Sequence, residues 1–449
     1  MASDWIKTTL DDVCIKITDG AHKSPKSVDS GKPMASVKDL EFYGLNLETA
    51  RHISEEDYDD LVKQGCKPEL GDVLIAKDGN SALDTVCTFE KDAEVVLLSS
   101  VAILRPNPAK INSRFLKYYF LSSRTIEYLK RNFISGAAIP RVVLRDFKKA
   151  EISLPLMPEQ KAIAHILGSL DDKIELNRQM NETLEAMAQA LFKSWFVDFD
   201  PVIDNALAAG NAIPDEFAER AKQRKAIEKK DNADIQSLFP DEFEFTEEMG
   251  WIPKGWGVSK VEEEFDVTMG QSPPGSTYNE SGEGIYFFQG STDFGFRYPT
   301  PRIYCTAPKR IAKKRDTLVS VRAPVGDTNI AADDCCIGRG LAALRHKSGS
   351  ASFTYYSMLQ LKENFKIYEG EGTVFGSINQ KDFKGLLQLK ASDSLVSKFE
   401  VKAGALDSKI ELNSLNIIKL AKLRDTLLPK LMSGELRIPD AAALVDEAV

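Results

Sequence analysis

Two stretches of the chain carry apolar residues in a heptad pattern, and both predict long amphipathic helices. Apolar positions recur at alternating steps of four and three residues, from Ile163 to Trp195 and again from Phe399 to Leu431. Such spacing forms a seam for a partner helix. The seam includes Leu170, Ile174, Asn177, Leu184 and Leu191 in the first helix and Leu406, Ile410, Asn413, Leu420 and Leu427 in the second. Each helix of about 33 residues would span roughly 50 Å.

The two seams are copies of one another. LDDKIELN at residues 170–177 returns as LDSKIELN at 406–413, with seven of eight positions identical at an offset of 236 residues. This repeat indicates an internal duplication. We expect the helices to pair antiparallel, because a tandem repeat related by a pseudo-two-fold axis requires it. Asn177 and Asn413 would then meet near the centre and fix the register, since a buried asparagine costs stability without a polar partner; the alternative is that both are solvated.

The segments before the helices have mixed α and β character. The apolar runs at 71–77 and 95–104 predict strands, and the pattern over 113–131 predicts a helix. Two motifs of the first segment have counterparts in the second: GDVLIAKDGN (71–80) matches RDTLVSVRAPVGD (315–327), and SVAILR (100–105) matches GLAALR (340–345). We therefore expect one α+β fold, built twice with different loops.

These patterns divide the chain into six parts. We predict a globular domain over 1–157, a repeated helix over 158–199, an acidic linker over 200–249, a second domain over 250–396, the second repeated helix over 397–436 and a tail over 437–449. Within the linker, the charged run over 218–231 predicts an exposed helix or a flexible connection.

The composition indicates a globular protein, with 43% hydrophobic residues. No apolar run reaches the length of about 18 residues that a membrane span needs. The N-terminus lacks the basic and apolar regions of a signal peptide. The six cysteines form no C-x-x-C pair and the four histidines share no spacing, so no metal site is predicted. Scattered cysteines without a signal peptide predict reduced thiols and a cytoplasmic location.

The net charge of −9 argues against nucleic-acid binding until its distribution is considered. Residues 198–250 hold 14 acidic and 6 basic side chains, so the rest of the chain is nearly neutral. Residues 105–149 carry 11 Lys and Arg against 2 acidic residues, and residues 297–322 carry 8 against 1. Because local fields steer a polyanion, these clusters predict DNA contact.

Lysine and arginine neutralise phosphates, and arginine also reads guanine in the major groove. Our candidates in the first domain are Lys23, Lys26, Lys38, Lys77, Asn80, Arg141 and Lys148. In the second domain they are Gln271, Ser272, Tyr278, Gln289, Arg297, Arg302, Lys309, Lys313, Lys314 and Arg322. For any single lysine a solvated surface is the simpler interpretation, whereas the clusters favour nucleic acid. The sequence does not separate base readers from phosphate anchors.

No catalytic pattern is recognised. QSPPG at 271–275 lacks the aromatic residue that amino-methyltransferases place after two prolines to stack on a flipped adenine. There is no P-loop. Asp198 and Asp200 lack the lysine and glutamate pattern of a nuclease centre, and we expect both to be solvated. Two main hypotheses remain: a DNA reader that recruits partners, or a DNA nuclease or methyltransferase with an unrecognised active site. A coiled-coil adaptor without a DNA role is a weaker third.

Four segments together resemble the specificity subunit of a type I restriction–modification system. They begin with LPLMPEQ at 154–160 and extend to DFDP at 198–201, followed by IPKGW at 252–256, VSVRAPVG at 319–326 and DSKIELN to ELRI over 407–438. The resemblance covers nearly the whole chain. It departs at 391–400, where ASDSLVSKFE replaces the LPxxPEQ boundary, so the second hinge is expected to be built differently.

The resemblance implies two target recognition domains separated by two long conserved helices, which form an antiparallel coiled coil with pseudo-two-fold symmetry. Each domain would read one half of a bipartite, asymmetric site in double-stranded DNA. The coiled coil would set the spacer and dock two methyltransferase subunits, and motor-nuclease subunits would join them, with no membrane involved. The chain itself would be non-catalytic and bind no cofactor. S-adenosylmethionine, ATP and magnesium would be used by the partner subunits.

Overall fold

The computed structural model describes residues 5–135, 140–227, 233–322, 324–365 and 376–447. The chain divides into two compact units, residues 1–179 with 413–449 and residues 180–412. Each unit is α+β, as the sequence predicted, and each contains halves of both long helices. Among the described residues, no helix combines the length and apolar character needed to cross a lipid bilayer.

Residues 5–196 form the first globular domain and the first long helix. Its strands are β1 Ile6–Thr9, β2 Cys14–Asp19, β3 Lys32–Ala35, β4 Leu40–Glu41, β5 Gly44–Leu45, β6 Arg51–Ile53, β7 Val73–Ala76, β8 Val86–Thr88, β9 Val96–Leu97, β10 Val101–Pro106, β11 Ile134–Ser135, β12 Arg141–Val142 and β13 Glu151–Leu154. Its helices are α1 Leu10–Val13, α2 Glu55–Lys63, α3 Ser113–Leu121, α4 Ser123–Phe133 and α5 Leu144–Phe147. The first long helix, α6, follows at Met157–Phe196.

The remaining elements follow in chain order. The helices are α7 Asp200–Ala209, α8 Ala218–Ala226, α9 Ala233–Gln236, α10 Val261–Glu264, α11 Ala351–Phe365, α12 Gln380–Gly385, the long α13 Asp393–Met432 and α14 Ile438–Asp446. The strands are β14 Phe243–Thr246, β15 Gly250–Pro253, β16 Gly257–Lys260, β17 Phe265–Met269, β18 Tyr278–Asn279, β19 Ile285–Phe288, β20 Ile303–Cys305, β21 Ile311–Ala312, β22 Thr317–Val321, β23 Val325–Ile330, β24 Cys335–Ile337, β25 Leu341–His346 and β26 Leu387–Lys390.

Both units contain the same sheet. In the first unit the strand order is β2-β10-β7-β8, and in the second it is β17-β25-β22-β23, with antiparallel pairing throughout. A parallel pair accompanies each sheet, β3 with β9 and β19 with β24. The entry and exit strands also pair in the same way, β1 with β13 and β16 with β26. The duplication inferred from the short repeat therefore extends to the topology of the domains.

An ion pair between a buried aspartate and an arginine recurs in both sheets. Arg105 Nε lies 2.9 Å from Asp72 Oδ1, and Arg345 Nε lies 2.7 Å from Asp316 Oδ1. Each aspartate also accepts a backbone N–H from the residue three positions before it. Strands β7 and β22 follow these aspartates, and β10 and β25 end at or next to the arginines. The pairs therefore fix the register of the two sheets and establish which residues are equivalent.

The two long helices are antiparallel. Within the first unit, Leu167 and Leu170 of α6 share a core with Leu427 and Leu431 near the end of α13. Within the second unit, the C-terminal half of α6 packs with the N-terminal half of α13 through Phe192 and Phe399, whose ring centroids are 5.5 Å apart. The helices are 40 residues each, longer than the heptad seams of about 33 residues, and their bounds differ by the same offset of 236 residues as the repeat.

The seam positions are buried or half-buried along both helices. Asn177 is 5% and Asn413 is 1% exposed, so the solvated alternative for the two asparagines is wrong. The Nδ2 atom of Asn177 has no hydrogen-bond partner among the residues that the structure describes. The proposed role of these asparagines in fixing the register stays a prediction.

The segment predicted as an acidic linker is folded at both ends. Val202, Ile203 and Ala206 of α7 are buried, and Asp200, only 3% exposed, receives Nε of Arg220 at 2.7 Å. The expectation that Asp200 is solvated was therefore wrong. Acidic and basic side chains of α7 and α8 neutralise one another, which composition alone does not reveal; residues 228–232 of the charged run lie outside the described residues.

Candidate nucleic-acid interface

Several loops of the first unit meet at one edge of its sheet. Ser99 N donates to Ala21 O at 3.0 Å, Lys77 N donates to Ser100 O at 2.8 Å, and Gly79 N donates to Pro140 O at 2.9 Å. These bonds join the loop after β2, the β9–β10 connection, the loop after β7 and the residue before β12. We call this group of loops the first loop edge. Lys23 and Asn80, predicted as DNA contacts, lie exposed in its loops. Lys38 is exposed in the loop after β3, which joins the same edge through the bond from Val37 N to Ser100 Oγ at 3.1 Å.

A network of charges lies at the centre of the first loop edge. Lys77 Nζ is 3.0 Å from Asp78 and 3.5 Å from Asp19, and Nε of Arg141 is 3.2 Å from Asp78 Oδ1. His22 Nε2 lies 3.3 Å from the same Asp19. Arg141 is exposed, whereas Lys77 is 5% exposed. Lys77 as a direct DNA contact is therefore wrong, because its ammonium is enclosed by two carboxylates.

The second unit forms an equivalent edge. Gln271 N donates to Ile337 O at 3.0 Å, Val321 N donates to Gly340 O at 2.9 Å, and Ile378 N donates to Val321 O at 3.1 Å. The first unit has matching bonds, from Ala21 N to Leu97 O at 2.7 Å, from Lys77 N to Ser100 O at 2.8 Å and from Val142 N to Lys77 O at 3.0 Å. We call this group of loops the second loop edge. It brings together Gln271, Ser272, Gln289 and Arg322 of the predicted site.

Glycine makes the close approach of these loops possible. A Cβ atom on Gly20 would lie 2.1 Å from Leu97 O, and one on Gly270 would lie 2.1 Å from Gly338 O. Any side chain at either position would force the loops apart. The segments TDGAHK at 18–23 and TMGQSP at 268–273 therefore have a glycine at the same place for a steric reason.

The second loop edge contains one arginine that the sequence analysis missed. Arg339 is exposed between Gly338 and Gly340, and its backbone N–H donates to Ser272 Oγ at 3.3 Å. Ser272 Oγ in turn donates to Gln289 Oε1 at 3.0 Å. Arg339 lies outside the basic run at 297–322, so a search for charge clusters passed over it. The glycines on both sides, in a loop next to a strand, were the available signal.

Other predicted contacts lie elsewhere. Lys148 Nζ is 3.6 Å from Asp11, which precedes β2, whereas the first loop edge follows β2. Lys313 and Lys314 precede β22, and Lys314 Nζ lies 3.8 Å from Glu411 of α13. Their strands are 5 or 6 residues long, so these lysines lie roughly 15–20 Å from the loop edges. Lys26, Lys309 and Arg302 are exposed, and Arg302 is paired with Asp293. The ring of Tyr278 stacks on that of Phe287, with 4.5 Å between the ring centroids.

Arg297 is not at the surface. The residue is 1% exposed. Its Nη2 lies 2.9 Å from Glu185 Oε2 and also binds Asp407 and the hydroxyl of Tyr356. Its Cζ lies 4.1 Å from the ring centroid of Tyr355. Burial raises the pKa of Glu185, and the charge of Arg297 partly offsets this effect. The assignment of Arg297 to DNA was wrong, because carboxylates on both long helices draw it into the core of the second unit.

The repeated octapeptide explains this arrangement. Its second residue is Asp171 in the first copy and Asp407 in the second, and each carboxylate accepts a tyrosine hydroxyl, from Tyr118 at 2.6 Å and from Tyr356 at 2.8 Å. Each tyrosine lies on the helix after the domain's main sheet. The repeat thus attaches each domain to the long helix that follows it. A buried aspartate also needs a cation, which Arg424 of α13 supplies to Asp171 at 2.9 Å, and Arg297 to Asp407.

Apolar side chains are exposed along both long helices. In the first unit they are Leu176, Leu415 and Ile418, which are 51%, 50% and 65% exposed. In the second unit they are Met187, Val401 and Leu412, which are 54%, 71% and 50% exposed. Clusters of exposed apolar residues mark surfaces that other proteins cover.

Within the described ranges, no group of three or more His, Cys, Asp or Glu side chains is arranged to hold a metal ion. Burial raises the pKa of the Cys87 and Cys335 thiols to about 12. Both thiols are therefore protonated at neutral pH and unsuited to nucleophilic chemistry.

Comparison with known proteins supports the resemblance. Residues 2–186 match the family described as type I restriction modification DNA specificity domain. The chain is 27% identical over 448 residues to the type I restriction enzyme MjaX specificity subunit of Methanocaldococcus jannaschii, covering 97% of this chain and 94% of the relative. It is 27% identical over 373 residues to the type I restriction enzyme HindI specificity subunit of Haemophilus influenzae, covering 76% and 81%.

A solved structure shows the same fold. The type I restriction–modification system S subunit from M. genitalium matches with a TM-score of 0.55 at 17% identity, covering 95% of this chain and 96% of that one. The predicted resemblance to specificity subunits is thereby confirmed. The comparisons give no support to the alternative of a nuclease or methyltransferase.

Proposed function

We propose that this protein is the non-catalytic DNA-reading subunit of a type I restriction–modification complex. The proposal is supported by the match of residues 2–186 to the type I restriction modification DNA specificity domain and by the likeness to a specificity subunit over nearly the whole chain. Each unit would read one half of a bipartite DNA site through its loop edge. The observation that carries this proposal is the recurrence of one loop edge on two domains of the same topology with different side chains.

The chemistry of the loop edges fits this role. A rigid sheet holds the loops through backbone hydrogen bonds, while their side chains differ between the units. The exposed side chains are Lys23, Lys38, Asn80 and Arg141 in the first unit and Gln271, Gln289, Arg322 and Arg339 in the second. Amide and guanidinium groups match base edges, and lysines match phosphates.

We further propose that the antiparallel helices set the spacer between the half-sites and dock two methyltransferase subunits, with motor-nuclease subunits joining for cleavage. Double-stranded DNA would be the ligand of this chain, and S-adenosylmethionine, ATP and magnesium would act in the partner subunits. The exposed Leu176, Met187, Val401, Leu412 and Ile418 support docking on the helices, because an apolar helical surface is stabilised by a partner's apolar residues.

Mapping of the methylated sequence tests the DNA-reading role. The chain is co-expressed with its methyltransferase subunit in a host without adenine methylation, and the genome is sequenced by a method that detects modified adenine. We expect one motif with two specific halves and a fixed nonspecific spacer. Methylation without a bipartite motif would overturn the proposal.

Two further assays test the division of labour. The pure chain with DNA, S-adenosylmethionine and magnesium should neither methylate nor cut, and turnover would favour the alternative enzyme. The double variant Leu412→Gln/Leu415→Gln should lose co-purification with the methyltransferase, while Lys409→Gln, an exposed change on the same helix, should retain it. Full retention by the double variant would contradict docking at these residues.

A further inference from the structure

The residues after β7 and β22 occupy one structural position twice. Asp78 forms an isolated bridge with Arg141, and Arg322 forms the same type of bridge with Ser377. The neighbouring backbone bonds also match, Val142 N to Lys77 O at 3.0 Å and Ile378 N to Val321 O at 3.1 Å. A carboxylate in the first unit therefore stands where the second unit has a guanidinium.

The surroundings of this position have changed together with its charge. Lys77 and Asp19, which flank Asp78, correspond to Val321 and Met269 through the matching registers of β10 and β25. The cation that pairs with Asp78 from the opposite loop, Arg141, corresponds to Ser377. The second loop edge has thus lost the charges that would hold a carboxylate. Arg322 is exposed and forms no ion pair within the part of the chain that the structure describes.

We infer that this position selects one base in each half-site, and that the two units select bases of opposite hydrogen-bonding character. Arg322 reads a guanine, because a guanidinium free of carboxylates presents two parallel N–H groups that match O6 and N7. Asp78 reads a base that presents an amino group in the major groove, cytosine or adenine. The inference rests on the proposed DNA-reading function and specifies its chemistry.

The geometry around Asp78 makes a carboxylate acceptable beside DNA. Among the described residues, its Oδ1 receives Lys77 Nζ at 3.0 Å and lies 3.2 Å from Arg141 Nε, and its Oδ2 receives Lys77 Nζ at 3.0 Å. A carboxylate has about four acceptor positions, so one on Oδ2 remains for a base amino group. The two cations neutralise the negative charge that phosphates would otherwise repel.

The second loop edge supports the reading of guanine in a second way. Arg339, also exposed, projects from a loop that hydrogen-bonds to Val321, the residue before Arg322. Gln289 lies in the same group of loops, and Ser272 occupies its Oε1 at 3.0 Å, which fixes the direction of its amide. The edge therefore presents donors rather than acceptors, whereas the centre of the first edge presents carboxylates.

Competition binding to the mapped motif tests the inference. The affinity of the complex of the full chain with its methyltransferase is compared among DNA duplexes that differ at single positions of the motif. Arg322→Gln should lose the preference for guanine at one position of the second half-site by about 5- to 150-fold. Preference across the first half-site should not change. Asp78→Asn should alter preference at one position of the first half-site alone.

Two companion variants separate base reading from phosphate binding. Arg322→Lys keeps the charge but loses the paired N–H groups, so it should fail to restore the guanine preference while keeping the salt dependence of binding. Lys381→Gln, an exposed change in the same unit, should leave every preference intact. Thermal unfolding confirms that each variant is folded.

The outcomes distinguish the inference from the proposed function. An equal loss of affinity for all sequences in Arg322→Gln, recovered in Arg322→Lys, would make Arg322 a phosphate anchor and overturn the inference. If the wild type has a bipartite motif and Arg322→Gln reads the same motif, only the inference is overturned and the proposed function stands. Absence of any bipartite motif in the wild type would overturn the proposed function itself.

Discussion

Replacement of Arg297 by methionine should unfold the second unit at lower temperature without altering DNA contact. Methionine fills a similar length but leaves the carboxylates of Glu185 and Asp407 buried without their cation. Removing one partner of a buried ion pair costs about 3–5 kcal/mol. A part of that cost is the lost contact with the Tyr355 ring, where a desolvated cation–π pair contributes about 2 kcal/mol.

Differential scanning calorimetry measures the effect directly. For a unit of this size, a loss of about 3–5 kcal/mol in the free energy of unfolding lowers the thermal unfolding midpoint by about 6–20 °C. Lys381→Met, which removes an exposed cation from the same unit, serves as the control and should leave the midpoint unchanged. In the same preparations, the salt dependence of DNA binding should be the same for Arg297→Met and wild type.

The destabilisation caused by Arg297→Met should also depend on pH. The folded-state pKa of Glu185 lies above its ordinary value of 4.5, so protonated Glu185 stabilises the fold fully below that value, and this contribution is lost as the pH rises through the folded pKa. Without Arg297 the pKa of Glu185 should rise further. The destabilisation should therefore be greatest at neutral pH and smaller at about pH 5. An unchanged midpoint together with weaker DNA binding would refute a structural role for Arg297.

Three further perturbations test the core and the helices. Asn177→Leu removes a buried amide whose Nδ2 has no hydrogen-bond partner among the described residues. The variant should have a higher unfolding midpoint, and its methylated motif should have a spacer of variable length. An unaltered spacer would count against the register role. Arg424→Met should destabilise the first unit by less than Arg297→Met does the second, because Asp171 keeps a second cation, Lys117, whose Nζ lies 3.5 Å from its Oδ2. Equal losses by calorimetry would contradict this. Because burial raises their thiol pKa to about 12, Cys87 and Cys335 should react with a thiol reagent at about pH 8 only after unfolding, and rapid native labelling would show otherwise.

The sequence by itself determined the helices and the duplication. Periodicity is a property of local order along the chain, so the heptads predicted α6 and α13. The tandem repeat predicted that the two helices pair antiparallel. The repeat LDDKIELN and LDSKIELN predicted a duplicated fold, and the residues that resemble specificity subunits predicted its class. Short matches such as SVAILR and GLAALR were informative because each ends in the arginine that pairs with a buried aspartate of the neighbouring strand.

Only the tertiary structure decided which charges are free. Arg297 and Arg322 lie 25 positions apart in one basic run, yet one is buried against carboxylates of both long helices and the other is exposed at a loop edge. Lys77 and Asp200 were misjudged for the same reason. The fold adds Asp19 to the adjacent Asp78 beside Lys77 and places Arg220 of another helix against Asp200. The charge of a side chain follows from its identity, but its availability to a ligand depends on long-range packing, which no local pattern encodes.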